Sequence, residues 1–86
     1  MPDLTKKVTS ALEGLALKSP YIDVQALAGS VIATVVSGSF TGMDEAERQR
    51  QVWGVLRSSL SDEERLFVEF VFTIAPEERE PVEEAV

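Results

Sequence analysis

Apolar residues recur at helical spacing near the start of the chain, where Leu4, Val8, Leu12 and Leu15 line one side and Ala11 and Ala16 widen the stripe. With Asp3 or Thr5 as its cap, this pattern predicts a first amphipathic helix ending near Lys18, because Ser19 precedes Pro20 and a residue before proline avoids the helical region. The period then changes to two. Ile22, Val24 and Ala26 alternate with Tyr21, Asp23 and Gln25, as in a half-buried strand. Gly29 and Ser30 supply turn chemistry, and the β-branched run from Val31 to Ser37 predicts a second strand, antiparallel to the first. Ser37, Gly38 and Ser39 predict a flexible loop at its exit.

A second long helix is predicted from Asp44 to Leu60. Its acids Asp44, Glu45 and Glu47 lie at the positive end of the helix dipole and Arg57 lies near the negative end. At 100° per residue, Gln49, Val52, Trp53, Leu56 and Leu60 fall within an arc of about 100°, the width of a core-facing stripe. Ser61 followed three residues later by Glu64 forms a capping box for a short helical turn. The apolar run from Leu66 to Ala75 suits either strand or helix by length. Its aromatic and β-branched content favours a strand covered on much of both faces, with Phe67, Phe70 and Phe72 in the core beside Trp53. Pro76, Glu77 and Glu78 then begin a short terminal helix that Pro81 interrupts.

These elements predict an α+β fold in the order α-β-β-α-α-β-(α), a small mixed three-stranded sheet covered by helices. The helical crossover makes the third strand parallel to the second. A single domain is expected over residues 1–76, followed by an acidic short helix or tail over 77–86.

Composition narrows the chemistry. A chain of 86 residues with 44% hydrophobic and 27% charged residues is an ordinary globular sequence with room for one core. At this size folding hides only about 60% of the surface of the unfolded chain. With His and Cys both at 0, the chain lacks a thiolate nucleophile, an imidazole base and the usual ligands for zinc, haem or iron–sulfur clusters. The start, MPDLTKKV, lacks a signal-peptide pattern and no apolar stretch reaches 18 residues, so a cytoplasmic chain without membrane association is expected.

The net charge of −7 is unevenly distributed. Residues 1–60 hold six Lys and Arg (Lys6, Lys7, Lys18, Arg48, Arg50, Arg57) against six acids, whereas residues 61–86 hold two against nine. Nucleic-acid binding draws on phosphate neutralisation, so a neutral body with an acidic end begins at a disadvantage. The run Glu77, Glu78, Glu80, Glu83 and Glu84 reads as solvated carboxylates rather than a cation site or an acid–base pair. No constellation of preorganised titrating groups is legible, and an enzyme is not expected.

The stretch from Phe40 to Val52 carries the most specific pattern. An aromatic residue, Phe40, is followed by Gly42 and then by a helix with Arg48, Gln49, Arg50 and Val52, while the last strand closes as Thr73, Ile74, Ala75, Pro76, Glu77, Glu78. The chain resembles the BolA family, whose fold is similar to the type II KH domain, over most of residues 5–79. The resemblance implies a noncatalytic domain that shares iron–sulfur clusters with a monothiol glutaredoxin. Where family members carry histidine between the two arginines this chain has Gln49, and the loop around Ala28, Gly29 and Ser30 has neither His nor Cys. An amide cannot replace an imidazole as a ligand, so no metal or cofactor is expected on the chain itself.

The leading expectation is therefore a protein-interaction domain with a regulatory role, using Phe40, Gly42, Arg48, Gln49, Arg50 and Arg57 as its contact surface. The alternative is a nucleic-acid-binding regulator using Arg48, Arg50 and Arg57 with Lys6, Lys7 and Lys18. A third reading keeps the glutaredoxin partnership without ligation. Gly42 is expected to set a positive φ before the helix. Gln49 is expected at the open end of the apolar stripe, and the phosphate-gripping glycine loop of KH domains is absent because Glu45 stands three residues after Gly42.

Overall fold

The first helix is shorter than its apolar spacing suggests. In the computed structural model, which describes residues 4–78, α1 spans Leu4–Glu13. It buries Val8, Ala11 and Leu12. It ends at Gly14, whose N–H closes the last turn on the carbonyls of Ser10 and Ala11. Leu15 and Leu17 still pack against the core from the linker. Helical spacing and core contact thus coincide there without a helix, and α1 stops short of the end near Lys18 that Pro20 suggests.

Strands β1 (Tyr21–Leu27) and β2 (Ser30–Val36) form the expected antiparallel hairpin. Its two-residue turn is Ala28–Gly29, with φ of 48° and 85°. Positive φ at both positions gives the twist that joins short antiparallel strands. The predicted loop at the exit of β2 is instead a 3-10 turn, Gly38–Phe40, capped by the Ser37 hydroxyl, which accepts from Ser39 N–H at 3.1 Å and donates to the Lys18 carbonyl at 2.8 Å. Helix α2 spans Glu45–Ser59 with Asp44 as N-cap, and α3 spans Asp62–Arg65 with the Ser61–Glu64 capping box in place. Strand β3 spans Val68–Ile74 and leads into a 3-10 turn, Pro76–Glu78. Thr5 is in the first turn of α1; the alternative cap Asp3, Arg79 and the acids beyond it lie outside the described residues.

The sheet order is β1-β2-β3, with β2 central and parallel to β3. This is the small mixed sheet expected of the α+β reading. Between Val31 and Ile32 the register shifts, leaving Glu69 as the extra residue on β3. Cross-strand rows Ile22–Val35–Thr73, Val24–Ala33–Val71 and Ala26–Val31–Val68 face α1 and α2. Of these, Val31, Ala33, Val35, Val68 and Val71 join Val8, Leu12, Phe40, Val52, Leu56 and Leu60 in the main core, and Ala26 is exposed.

The opposite rows, Tyr21–Val36–Ile74, Asp23–Thr34–Phe72 and Gln25–Ile32–Phe70, face away from the helices. This corrects the expectation of a strand covered on both faces. Phe67, Phe70 and Phe72 are 52%, 55% and 49% exposed, whereas Val68, Val71 and Thr73 are buried. The strand is amphipathic by size rather than by polarity, with its smaller residues inward. Among the described residues, no helix is long and apolar enough to cross a membrane.

Candidate partner-binding surface

The loop from Phe40 to Asp44 is held from inside. Phe40 is fully buried, and the Arg48 guanidinium carbon lies 5.7 Å from the centre of its ring. Gly42 has φ of +79°, and a Cβ there would meet nothing within 4 Å. The glycine therefore serves backbone conformation, as expected, and not close approach by a neighbour. Asp44 Oδ1 accepts from Glu47 N–H at 2.9 Å and starts α2.

Arg48 is 5% exposed. Its Nε donates to the Met43 carbonyl at 2.8 Å and its Nη1 to the Thr73 carbonyl at 3.0 Å. Nη1 and Nη2 also meet the two carboxylate oxygens of Glu78 at 2.7 and 2.9 Å. These hydrogen bonds hold the Glu78 carboxyl down at about 2 and raise the guanidinium further above its usual value. Arg48 thus joins the α2 entry loop, the end of β3 and the closing turn. It is neither a solvated arginine paired only along its helix nor one that offers its charge to phosphate. Glu78, two residues past Pro76, is tied to the folded body through this pair.

Gln49 is half-buried rather than open. Its Nε2 donates to the Val71 carbonyl at 2.8 Å and to Thr73 Oγ1 at 3.2 Å, while its Oε1 accepts from Trp53 Nε1 at 3.0 Å. Thr73 Oγ1 in turn donates to Glu45 Oε2 at 2.9 Å. Among the described residues no buried side-chain nitrogen or oxygen lacks a hydrogen-bond partner. Trp53 is only partly buried, packed against the core from its rim.

Arg50 and Arg57 are exposed, and Arg50 pairs with Glu47 one turn back. Lys7 pairs with Glu64 at 2.5 Å, which holds that carboxyl below its usual range, whereas Lys6 and Lys18 are exposed. Of the six residues singled out from the sequence, Phe40, Arg48 and Gln49 build the loop and helix from within. Gly42, Arg50 and Arg57 form the surface. Sequence reasoning missed Glu78 and Thr73. The signal for Glu78 was the arginine itself, which at a core-adjacent position of α2 needs an acid from elsewhere in the fold.

Among solved structures, the chain is similar to BolA1 from Arabidopsis thaliana, with a TM-score of 0.66 and 18% identity, over 93% of this chain and 100% of that one. The fold is BolA-like. No protein-family model and no curated protein sequence matches the chain. At the two places where the resemblance would draw iron–sulfur ligands, the residues present do not fit a cluster. The amide of Gln49 is held in hydrogen bonds within the fold, and the hairpin turn is Ala28–Gly29. Among the described residues, no group of three or more His, Cys, Asp or Glu side chains is placed to hold a metal ion.

Proposed function

We propose that the chain is a noncatalytic, regulatory protein-interaction domain of the cytoplasm, whose contact surface is the outer side of the loop and helix from Gly42 to Arg57. The observation that carries this reading is the internal use of Gln49. The side chain standing where BolA family members carry histidine ties α2 to β3, so the rigid loop and helix present shape and charge instead of a ligand. Arg50 and Arg57 are the exposed cations of that surface. A monothiol glutaredoxin fits as a partner held by surface contacts alone.

Affinity capture from the native cytoplasm, with the intact chain and with Arg50→Glu in parallel, tests the reading. Loss of one specific partner in the variant is expected, and an unchanged partner set overturns the surface. Random duplex and single-stranded DNA should not bind at low salt, where a phosphate-driven complex would be strongest. Mixing with a cluster-bearing monothiol glutaredoxin should leave the cluster spectrum unchanged.

A further inference from the structure

The face of the sheet turned away from the helices combines apolar area with one sign of charge. Phe70 and Phe72 stack with centroids 5.8 Å apart and planes 22° from parallel. Beside them in the same rows lie Ile32 and Thr34, with Tyr21 and Ile74 in the next row. Tyr21, Phe70 and Phe72 each leave about half of their surface open, so together they expose on the order of 300 Å². A patch of this size on a small protein is commonly an interaction site.

The charged side chains carried by its strands are both carboxylates. Asp23 and Glu69 are the two charged residues of the three strands. A groove of about 390 Å³ along the outer side of β3, lined by Phe70, Phe72 and Trp53, adds Glu45 to Glu69 and contains no lysine or arginine.

Two occupants fit poorly. A strand added at the β3 edge would need the Val71 and Thr73 carbonyls, which Gln49 and Arg48 already occupy. A second copy would set Asp23 and Glu69 against the same acids in a chain of net charge −7, across an apolar area well below the roughly 800 Å² per partner of a stable interface. A helix fits better. Three strands about 4.8 Å apart match a helix roughly 10 Å across. A seven-residue strand of about 23 Å matches roughly four helical turns.

We infer that this open sheet face docks an amphipathic helix of a partner protein, its apolar side on Phe70, Phe72 and Ile32 and its flanking lysines or arginines against Asp23, Glu69 and Glu45. The surface is separate from the Gly42 to Arg57 loop and helix and does not depend on that reading.

The test titrates the chain with a fifteen-residue Leu/Lys amphipathic peptide and with a Leu/Glu peptide of the same pattern (about four turns each). Trp53 emission and the amide shifts of Ile32, Phe70 and Phe72 are followed. The Leu/Lys peptide is expected to bind at least roughly tenfold more tightly than the Leu/Glu peptide, with shifts centred on these three residues. Phe70→Thr with Phe72→Thr should weaken binding by about tenfold or more, and Asp23→Lys with Glu69→Lys should invert the preference. Arg50→Glu should leave it unchanged, which separates this face from the loop and helix. Equal binding of both peptides, no binding, shifts centred on α1 or on the outer side of α2, or a dimer that hides the face in sedimentation would each overturn the inference. If a double variant does not fold, the two peptides on the intact chain still decide.

Discussion

Arg48 and Glu78, thirty residues apart in sequence, form a two-pronged ion pair that closes the end of β3 onto the start of α2. The arginine is almost wholly buried and its remaining donors reach two carbonyls, so its removal strands acceptors from two elements at once. Arg48→Ala is expected to cost about 2–4 kcal/mol in chemical denaturation, from lost hydrogen bonds and lost packing on Phe40. Glu78→Gln should cost less, because water reaches nearly half of that side chain. A loss from Arg48→Ala no larger than that of a surface arginine such as Arg57→Ala would show that the pair does not hold the turn.

The same pair sets a pH dependence. Glu78 is held at about 2 in the folded chain against the usual 4.5, and Glu64 is lowered as well by Lys7. A depressed carboxyl contributes stability above the unfolded-state value and loses it as pH falls through the folded value. Stability should therefore be flat near neutrality and decline from about pH 4.5 toward pH 2. In Glu78→Gln the decline should be shallower over that window. Parallel curves for the two proteins would contradict the shift.

Most of the architecture was legible because each element carried its own local code. The Ser61–Glu64 box, the Asp44 cap and the acidic first turn of α2 are short-range signals, and they lie where expected. What was not legible depends on long-range contacts. The main partner of Arg48 is thirty residues away, whereas a helical wheel reaches only neighbours such as Glu45, which lies 3.8 Å from the guanidinium. The aromatic residues of β3 misled for another reason. Phe70 and Phe72 are larger than Val71 and Thr73, so their size suggested that both faces were covered, and only the layering of both helices on one side shows which set is.

Gln49 offers a direct measure of how far its position serves the fold. Replacing it with alanine frees the Val71 carbonyl and leaves Trp53 Nε1 without its acceptor, at a half-buried site where water compensates in part. A loss of about 1–2 kcal/mol is expected by urea denaturation, with a change in Trp53 emission in the native state. No loss of stability would mean that the side chain is free to act elsewhere.

At the hairpin, Ala28 holds a φ of 48°, a region that costs a residue with a Cβ roughly 1–2 kcal/mol unless its side chain is suited to it. Asparagine is suited, and followed by Gly29 it creates the favoured two-residue turn. Ala28→Asn should stabilise the chain by about 0.5–1 kcal/mol in thermal or chemical unfolding. A destabilised variant would show that the turn departs from this geometry.

The two faces of β3 should respond to substitution in the reverse order of side-chain size. Val71 lies in the core between the sheet and the helices, and truncating it to alanine leaves a cavity that neighbouring Val52 and Ala33 cannot fill without moving. Val71→Ala is expected to cost about 1–3 kcal/mol. Phe72, on the far side of the same strand, is half exposed and stacks on the ring of Phe70. Threonine keeps its strand preference and removes a stacking contact of about 0.5–1.5 kcal/mol, so Phe72→Thr should cost about 1 kcal/mol or less. Denaturation midpoints for the two variants measure this ordering. If the phenylalanine proved the costlier loss, the aromatic rows would have to be covered within the chain, and the face would not be open to a partner.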